Sequence, residues 1–289
     1  MTTRNLLWAT GLVAAVTLWP SAGIFGASTI DPANRYAWGA NLGWIDWQGD
    51  GANGAVIGEY VCAGFIYAAN VGWISLGAGT PANLIQYQNN SVADYGVNRD
   101  RLGNLRGYAY GANIGWIAFE NSGEPKVDLV SGKLTGYAWS ANCGWISLSN
   151  AVAYVQTDSL APGVDLDEDG IADAWELSYT NSVAAFTATS DTDADGSTDR
   201  EEYISGTDPL DPADNLRIVS FTREGTYNLI EWTSKPDRLY RVERRPALDP
   251  VSPWELYLSY DTLNWTGVGF DSTARQYFYR VRALRPLMP

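Results

Sequence analysis

Apolar and polar positions alternate with period two in four related stretches, each interrupted by a run of small residues. They read Tyr-Ala-Trp-Gly-Ala-Asn-Leu-Gly-Trp-Ile-Asp-Trp at 36–47 and Phe-Ile-Tyr-Ala-Ala-Asn-Val-Gly-Trp-Ile-Ser-Leu at 65–76. The third and fourth are Tyr-Ala-Tyr-Gly-Ala-Asn-Ile-Gly-Trp-Ile-Ala-Phe at 108–119 and Tyr-Ala-Trp-Ser-Ala-Asn-Cys-Gly-Trp-Ile-Ser-Leu at 137–148. Such alternation on both sides of a short link predicts a β-hairpin. In the first arm Tyr36 and Trp38 share a face and Ala37 takes the other; in the second, Trp44 goes with Asp46 and Ile45 with Trp47. The links tolerate positive φ. Asn41, Asn70, Asn113 and Asn142 are therefore expected to bend the chain, by left-handed geometry or by a side-chain to backbone hydrogen bond. Gly103-Asn104 and Gly132-Lys133 are expected to turn two further hairpins upstream of the third and fourth repeats. Residues 28–156 thus read as an all-β hairpin-repeat domain.

The tryptophans Trp44, Trp73, Trp116 and Trp145 lie 29, 43 and 29 residues apart, as in a pair of repeats duplicated at an offset of 72. Two readings of the aromatic stripes stay open. In one, rings fill the space between stacked hairpins, since a lone hairpin cannot bury its own face and repeats solve that problem. In the other, Trp38, Trp44, Trp73, Trp116, Trp139 and Trp145 form platforms that stack on sugar rings. Packing is the weightier of the two. Cys62 stands where other repeats carry Leu105 and Leu134, and Cys143 where they carry Leu42, Val71 and Ile114. Both substitute for apolar residues, so buried thiols and a Cys62–Cys143 disulfide are the alternatives.

The first 27 residues follow a different rule. Arg4 precedes a largely apolar run at 6–19, then Pro20 and a stretch rich in small residues at 21–28. That is the build of an export signal, with a retained N-terminal anchor as the other reading. The run is short of the roughly 20 residues that span a bilayer. After cleavage no membrane span is expected, calcium is plentiful and disulfides are allowed.

Short alternating runs at 216–221, 227–232, 238–244, 255–260 and 276–283 predict a second β module over 215–289, folded as a sandwich. Asn228-Leu229-Ile230-Glu231-Trp232 and Tyr277-Phe278-Tyr279-Arg280-Val281-Arg282-Ala283 resemble the tryptophan strand and the Tyr-x-Tyr-x-Val-x-Ala strand of fibronectin type III domains. The resemblance implies that Trp232, Tyr279 and Val281 are core residues, in a module short enough to lack a strand. Arg280 and Arg282 then share the outward face of the last strand, and Arg238 and Arg244 one face of another.

Charge changes the picture between these two β modules. The chain carries −14, and residues 157–214 alone hold sixteen acids against one base, Arg200. Within that segment 165–176 reads Asp-Leu-Asp-Glu-Asp-Gly-Ile-Ala-Asp-Ala-Trp-Glu and 191–202 reads Asp-Thr-Asp-Ala-Asp-Gly-Ser-Thr-Asp-Arg-Glu-Glu. Both match D-x-D-x-D-G-x-x-D-x-x-E, the spacing of a calcium loop. Hard Ca²⁺ takes about six to eight oxygens, and alternate residues of a tight loop turn their carboxylates inward. Candidate ligands are Asp165, Asp167 and Asp169 in the first loop and Asp191, Asp193 and Asp195 in the second. Gly170 and Gly196 make the bend, the carbonyls of Ile171 and Ser197 serve at position 7, Asp173 and Asp199 ligate through water, and Glu176 and Glu202 close each sphere in bidentate fashion.

Pro162 and Gly163 occupy the place of an entering helix, which disfavours an EF-hand; only exiting helices are expected, from Asp173 to about Tyr179 and from Asp199 to about Ser205. The series Asp173-Ala174-Trp175-Glu176-Leu177, Glu201-Glu202-Tyr203 and Gly206-Thr207-Asp208-Pro209 resembles the thrombospondin type 3-like repeats of secreted bacterial proteins. That resemblance covers about 50 residues. It implies calcium-dependent folding around two or more ions, with Asp208 and Asp211 as additional ligands. It also departs from the family's usual residues at Ala172 and Asp199.

The expected fold class is therefore mainly β: an N-terminal hairpin-repeat domain, a short calcium-loop linker with two small helices at 157–214, and a C-terminal β-sandwich. Histidine is absent, which removes Ser-His-Asp and Cys-His catalysis and histidine-ligated zinc. The negative charge argues against nucleic acid. Outside the loops the carboxylates are sparse and none recurs across the four repeats, so a glycosidic acid pair has no motif behind it. The expected function is that of a secreted, non-enzymatic calcium-binding protein with a structural or adhesive role. Its partners would be calcium and an extracellular polysaccharide or another surface protein. The alternatives are a carbohydrate-binding module and, less favoured, a glycoside-active enzyme.

Overall fold

The computed structural model describes residues 27–224, 227–249, 251–261, 265–269 and 277–288, so the export signal expected at 1–27 lies, but for Ala27, outside the described residues. Among the described residues the chain is mainly β, with two short α-helices. Each repeat is a hairpin. Their arms are Ile30–Gly39 with Gly43–Asp46, Cys62–Ala68 with Gly72–Ala78, Leu105–Gly111 with Gly115–Phe119, and Tyr137–Ser140 with Gly144–Ser147. The second arm of each pairs antiparallel with the first arm of the next: Ile45 opposite Ala68, Ile74 opposite Gly111 and Ile117 opposite Ser140. Ile146 opposite Gly39 closes the ring, and the sheet becomes a barrel with pseudo-fourfold repetition. Closure leaves these arms no open edge.

The alternation decides which residues fill the barrel. Ile45, Ile74, Ile117 and Ile146 form one buried layer and Trp47, Leu76, Phe119 and Leu148 another. Small residues in the first arms leave room for the link residues to fold inward: a Cβ on Gly111 would come within 2.9 Å of Ile114 Cγ1. The opposite face points outward. Trp44, Trp73 and Trp145 are each 46% exposed and Trp116 41%. The packing of aromatic rings between hairpins is thus overturned. The hairpins join edge to edge through hydrogen bonds, so no gap between them exists for the stripe rings to fill, and the interior is packed mainly by isoleucine, leucine, valine and alanine, with Trp47 and Phe119 among them.

The asparagines do not bend their own links either. Each turn is closed by an amide three residues on, as from Leu42 N–H to the Gly39 carbonyl at 3.1 Å, and the positive φ falls on the glycines Gly43, Gly72, Gly115 and Gly144. The asparagine side chains reach across to the neighbouring hairpin. Asn41 Nδ2 donates to the Cys143 carbonyl at 3.1 Å, Asn70 to Leu42 at 3.1 Å, Asn113 to Val71 at 2.9 Å and Asn142 to Ile114 at 2.9 Å. Four identical bonds tie the tips into a closed ring.

The two upstream hairpins form as expected, Val97–Arg99 against Leu105–Gly111 and Lys126–Val127 against Leu134–Thr135, with Gly103 and Gly132 at positive φ in their turns. Cys62 and Cys143 are both buried free thiols, and no bridge joins them. The barrel also extends past residue 156: Val155–Thr157 pairs with the first strand and Ala161 N–H bonds to Ile57.

Among the described residues the C-terminal module is two three-stranded sheets. One is built from Ile218–Glu224, Tyr227–Trp232 and Trp265–Gly269, the other from Leu239–Arg245, Glu255–Asp261 and Phe278–Leu284. Ile230 and Trp232 of the first pack on Tyr240, Val242 and Ala283 of the second, with Tyr279 and Val281 alongside, as in a sandwich. Strand Trp265–Gly269 was not expected, because its glycines mask the alternation. Arg238 does not share a strand face with Arg244: it lies just before the strand and is buried. Among the described residues no helix is long and apolar enough to cross a membrane.

Candidate metal centre

The two acidic loops fold as copies of each other. Position 4 takes a left-handed conformation in both, Glu168 at φ 60° and Ala194 at φ 63°, as does the glycine at position 6, Gly170 at 88° and Gly196 at 98°. The first aspartate organises each bend by accepting the glycine amide, Gly170 N–H to Asp165 Oδ2 at 2.9 Å and Gly196 N–H to Asp191 Oδ2 at 3.0 Å. The third aspartate accepts the amide two residues on, Ile171 N–H to Asp169 at 2.8 Å and Ser197 N–H to Asp195 at 2.7 Å. Carboxylate oxygens of Asp165, Asp167 and Asp169 lie within 4.8 Å of one another, and those of Asp191, Asp193 and Asp195 do the same. Like charges this close repel unless a cation or protons intervene.

Two short helices carry the closing glutamates. Helix α1 spans Asp173–Tyr179 and α2 spans Asp199–Ser205. Thr198 and Glu201 form a reciprocal capping box on α2, and Gly206 ends it at φ 75°. Ala172 precedes α1 at φ −78°, a value that proline shares. Glu176 and Glu202 are wholly buried, at 0% exposure. One oxygen of each is held, by Phe186 N–H at 3.3 Å and by Thr207 Oγ1 at 3.2 Å. The other is not. In the first loop Asp169 Oδ2, Asp173 Oδ2 and Glu176 Oε2 are buried without a hydrogen-bond partner, and in the second Asp193 Oδ2, Asp195 Oδ2 and Glu202 Oε2. Buried carboxylate oxygens without partners are strongly unfavourable. Burial, with the neighbouring aspartates adding to it, pushes Glu176 up to about 7 and Glu202 up to about 8. Asp169, Asp173 and Asp193 are raised for the same first reason. Oxygen-only donors with unmet demand suit a hard divalent cation such as Ca²⁺.

Four expected ligands carry contacts of their own. Asp199 closes its loop: its oxygens accept from Thr192 N–H at 2.9 Å, Thr192 Oγ1 at 3.0 Å and Ser190 Oγ at 2.5 Å. Asp173 likewise gives Oδ1 to Leu166 N–H at 2.9 Å, with Oδ2 left over. Asp208 accepts Leu210 N–H at 3.0 Å and belongs to neither cluster; Asp211 accepts Ala213 N–H at 3.0 Å in the same way.

The loops do not form an extended spacer. Ile171, Ala172, Trp175, Phe186 and Tyr203 make a small core of their own, joined by Tyr60 of the barrel and by Tyr179. The Trp175 ring lies 5.0 Å from Tyr179, 5.2 Å from Phe186 and 5.6 Å from Tyr203. Residues 163–214 are therefore a packed hub against the barrel. Glu59, Arg101, Asp237, Arg238 and Arg285, which hold it there, escape a sequence reading because their partners lie tens to hundreds of residues away.

The six candidate stacking tryptophans stand outside the barrel in cross-strand groups. Trp38 and Trp44 have ring centroids 4.8 Å apart, Tyr67 and Trp73 4.9 Å, Tyr110 and Trp116 4.8 Å, and Trp139 and Trp145 4.9 Å. A third ring, from Tyr36, Phe65, Tyr108 or Tyr137, flanks each pair. Such pairs support their own hairpins, by about 0.2–1 kcal/mol each, while the six tryptophans stay 38–46% exposed. No family model, curated protein or solved structure matches this chain.

Proposed function

We propose that this chain is an exported, non-enzymatic calcium-binding protein, built from modules, with a structural or adhesive role at the cell surface or in extracellular matrix. The observation that carries the reading is the set of three unpartnered, buried carboxylate oxygens at each of two loops with calcium-loop spacing. A divalent ion would turn each set from a repulsive cluster into a coordinated one, through Asp165, Asp167, Asp169 and Glu176 at one site and Asp191, Asp193, Asp195 and Glu202 at the other. Calcium supplies charge neutralisation and oxygen coordination here and no chemistry of bond making. Isothermal titration of the purified chain with CaCl₂ is expected to give at least two ions bound per chain; no heat at millimolar calcium would overturn the reading.

The exposed aromatic groups favour a second reading, in which the barrel stacks on neutral sugar rings at up to four stations. Titration with soluble polysaccharides should then quench tryptophan fluorescence, and Trp44→Ala with Trp145→Ala should reduce the response. Silence across a glycan panel would leave the structural role alone.

A further inference from the structure

The last turn of α2 is where barrel and C-terminal sandwich meet. Arg238, from the sandwich, donates Nε to the Ile204 carbonyl at 2.7 Å and Nη2 to the Tyr203 carbonyl at 3.0 Å. Arg101, from the barrel, donates Nη2 to the Gly206 carbonyl at 2.8 Å. Asp237 ties the two arginines together, accepting from Arg101 Nε at 2.7 Å and Arg238 Nη1 at 2.8 Å. On the other side Tyr203 Oη donates to Glu59 of the barrel at 2.7 Å, where Arg285 also pairs at 3.1 Å and lies over the Tyr203 ring. The carbonyls used are those a helix end leaves without internal partners, at the negative end of its dipole.

Beyond these polar contacts, Leu287 and Met288 pack on the barrel core and Leu160 N–H donates to the Leu287 carbonyl at 2.8 Å, yet the junction is not filled. A cavity of about 260 Å³ remains between the units, bordered by Tyr60, Arg101, Trp175, Asp237, Arg238 and Arg285. Where the sandwich body meets α2, its hold depends on the direction of a few carbonyls, and these depend on α2 being helical. Seven residues make a helix that does not hold by itself. Glu202 sits within it, immediately before Tyr203, buried and with Oε2 unpartnered.

We propose that calcium in the second loop locks the C-terminal sandwich onto the barrel, by anchoring Glu202 and so holding the α2 carbonyls toward Arg101 and Arg238. The inference rests on the calcium reading above. Without the ion the buried Glu202 carboxylate seeks water, α2 loosens, and both arginines lose their acceptors. The first loop leads elsewhere: α1 ends at Tyr179 inside the aromatic cluster.

Small-angle scattering of the whole chain, in calcium and in chelator, tests the lock while calorimetry on the same samples tests binding. With calcium the pair-distance distribution should have one maximum; in chelator it should broaden to a second, and protease should cut at 207–217 about tenfold faster, as for a segment that opens more readily. Asp167→Asn should keep the compact form in calcium and Glu202→Gln should lose it. Arg238→Met, which removes the sandwich's side of the contact and no carboxylate of either loop, keeps the test open if Glu202→Gln does not fold: it should open the chain while binding as much calcium as before. Calcium binding with unchanged scattering, or opening by Asp167→Asn as readily as by Glu202→Gln, would overturn the lock and leave the calcium sites standing. Absence of binding heat would overturn both.

Discussion

The Asn70 side chain donates to the Leu42 carbonyl at 3.1 Å, across 28 residues of sequence and between two hairpins. The same bond recurs at every junction of the barrel, so the repeated asparagine is a fastener between repeats. Asn70→Ala is expected to lower unfolding stability by about 1 kcal/mol, the usual net worth of one such bond. Asn70→Asp should lower it further, since it sets a carboxylate oxygen against the carbonyl. Urea unfolding monitored by tryptophan emission measures both, and an unchanged midpoint for Asn70→Ala would show the bond to be idle.

The hairpins were legible because period two survives in each arm, and the acidic loops because glycine and acids recur at fixed positions. What could not be read was which side of the hairpins faces in. Alternation separates Trp44 from Ile45 without saying which points to the core, and aromatic bulk suggests the wrong answer. The closed ring settles it: Ile45, Ile74, Ile117 and Ile146 are buried inside with Trp47 and Phe119, and Trp44 and its equivalents stay outside. The hub was illegible for another reason. Arg238 looks like a surface strand residue until the α2 carbonyls, 34 residues upstream, are placed beside it.

That inside-out assignment has a direct test. Ile117 is fully buried in the barrel and Trp116, its neighbour, is 41% exposed. Ile117→Ala should cost about 2–5 kcal/mol through lost burial and a cavity. Trp116→Ala should cost only about 1 kcal/mol, the worth of its cross-strand ring contacts. Equal losses in chemical denaturation would mean that the tryptophans are core after all.

Both cysteines are free and buried, and burial lifts the Cys62 thiol to about 12. Thiolate, the reactive form, is therefore scarce at Cys62 near neutral pH. Folded protein should react with a thiol reagent far more slowly than denatured protein. In denaturant two thiols per chain should count identically with and without prior reduction, and a count that rises on reduction would establish a bridge.

Protons and calcium should compete for the two closing glutamates. Glu176 is raised from an ordinary 4.5 to about 7 and Glu202 to about 8, so the folded chain binds protons more tightly than the unfolded one. Their contribution is present in full below about 4.5 and is lost as pH climbs through 7 and 8. In chelator, the melting temperature should therefore fall between those limits. Calcium needs the ionised forms, so it should reverse the trend, restoring stability most at pH 8 and least at pH 5. Binding at pH 6 should release roughly two protons, one from each glutamate, visible as a dependence of calorimetric heat on the ionisation enthalpy of the buffer. Glu176→Gln with Glu202→Gln should flatten the chelator profile and abolish the release; a binding heat indifferent to buffer would show that these glutamates are already ionised and that their burial has been overcome by other means.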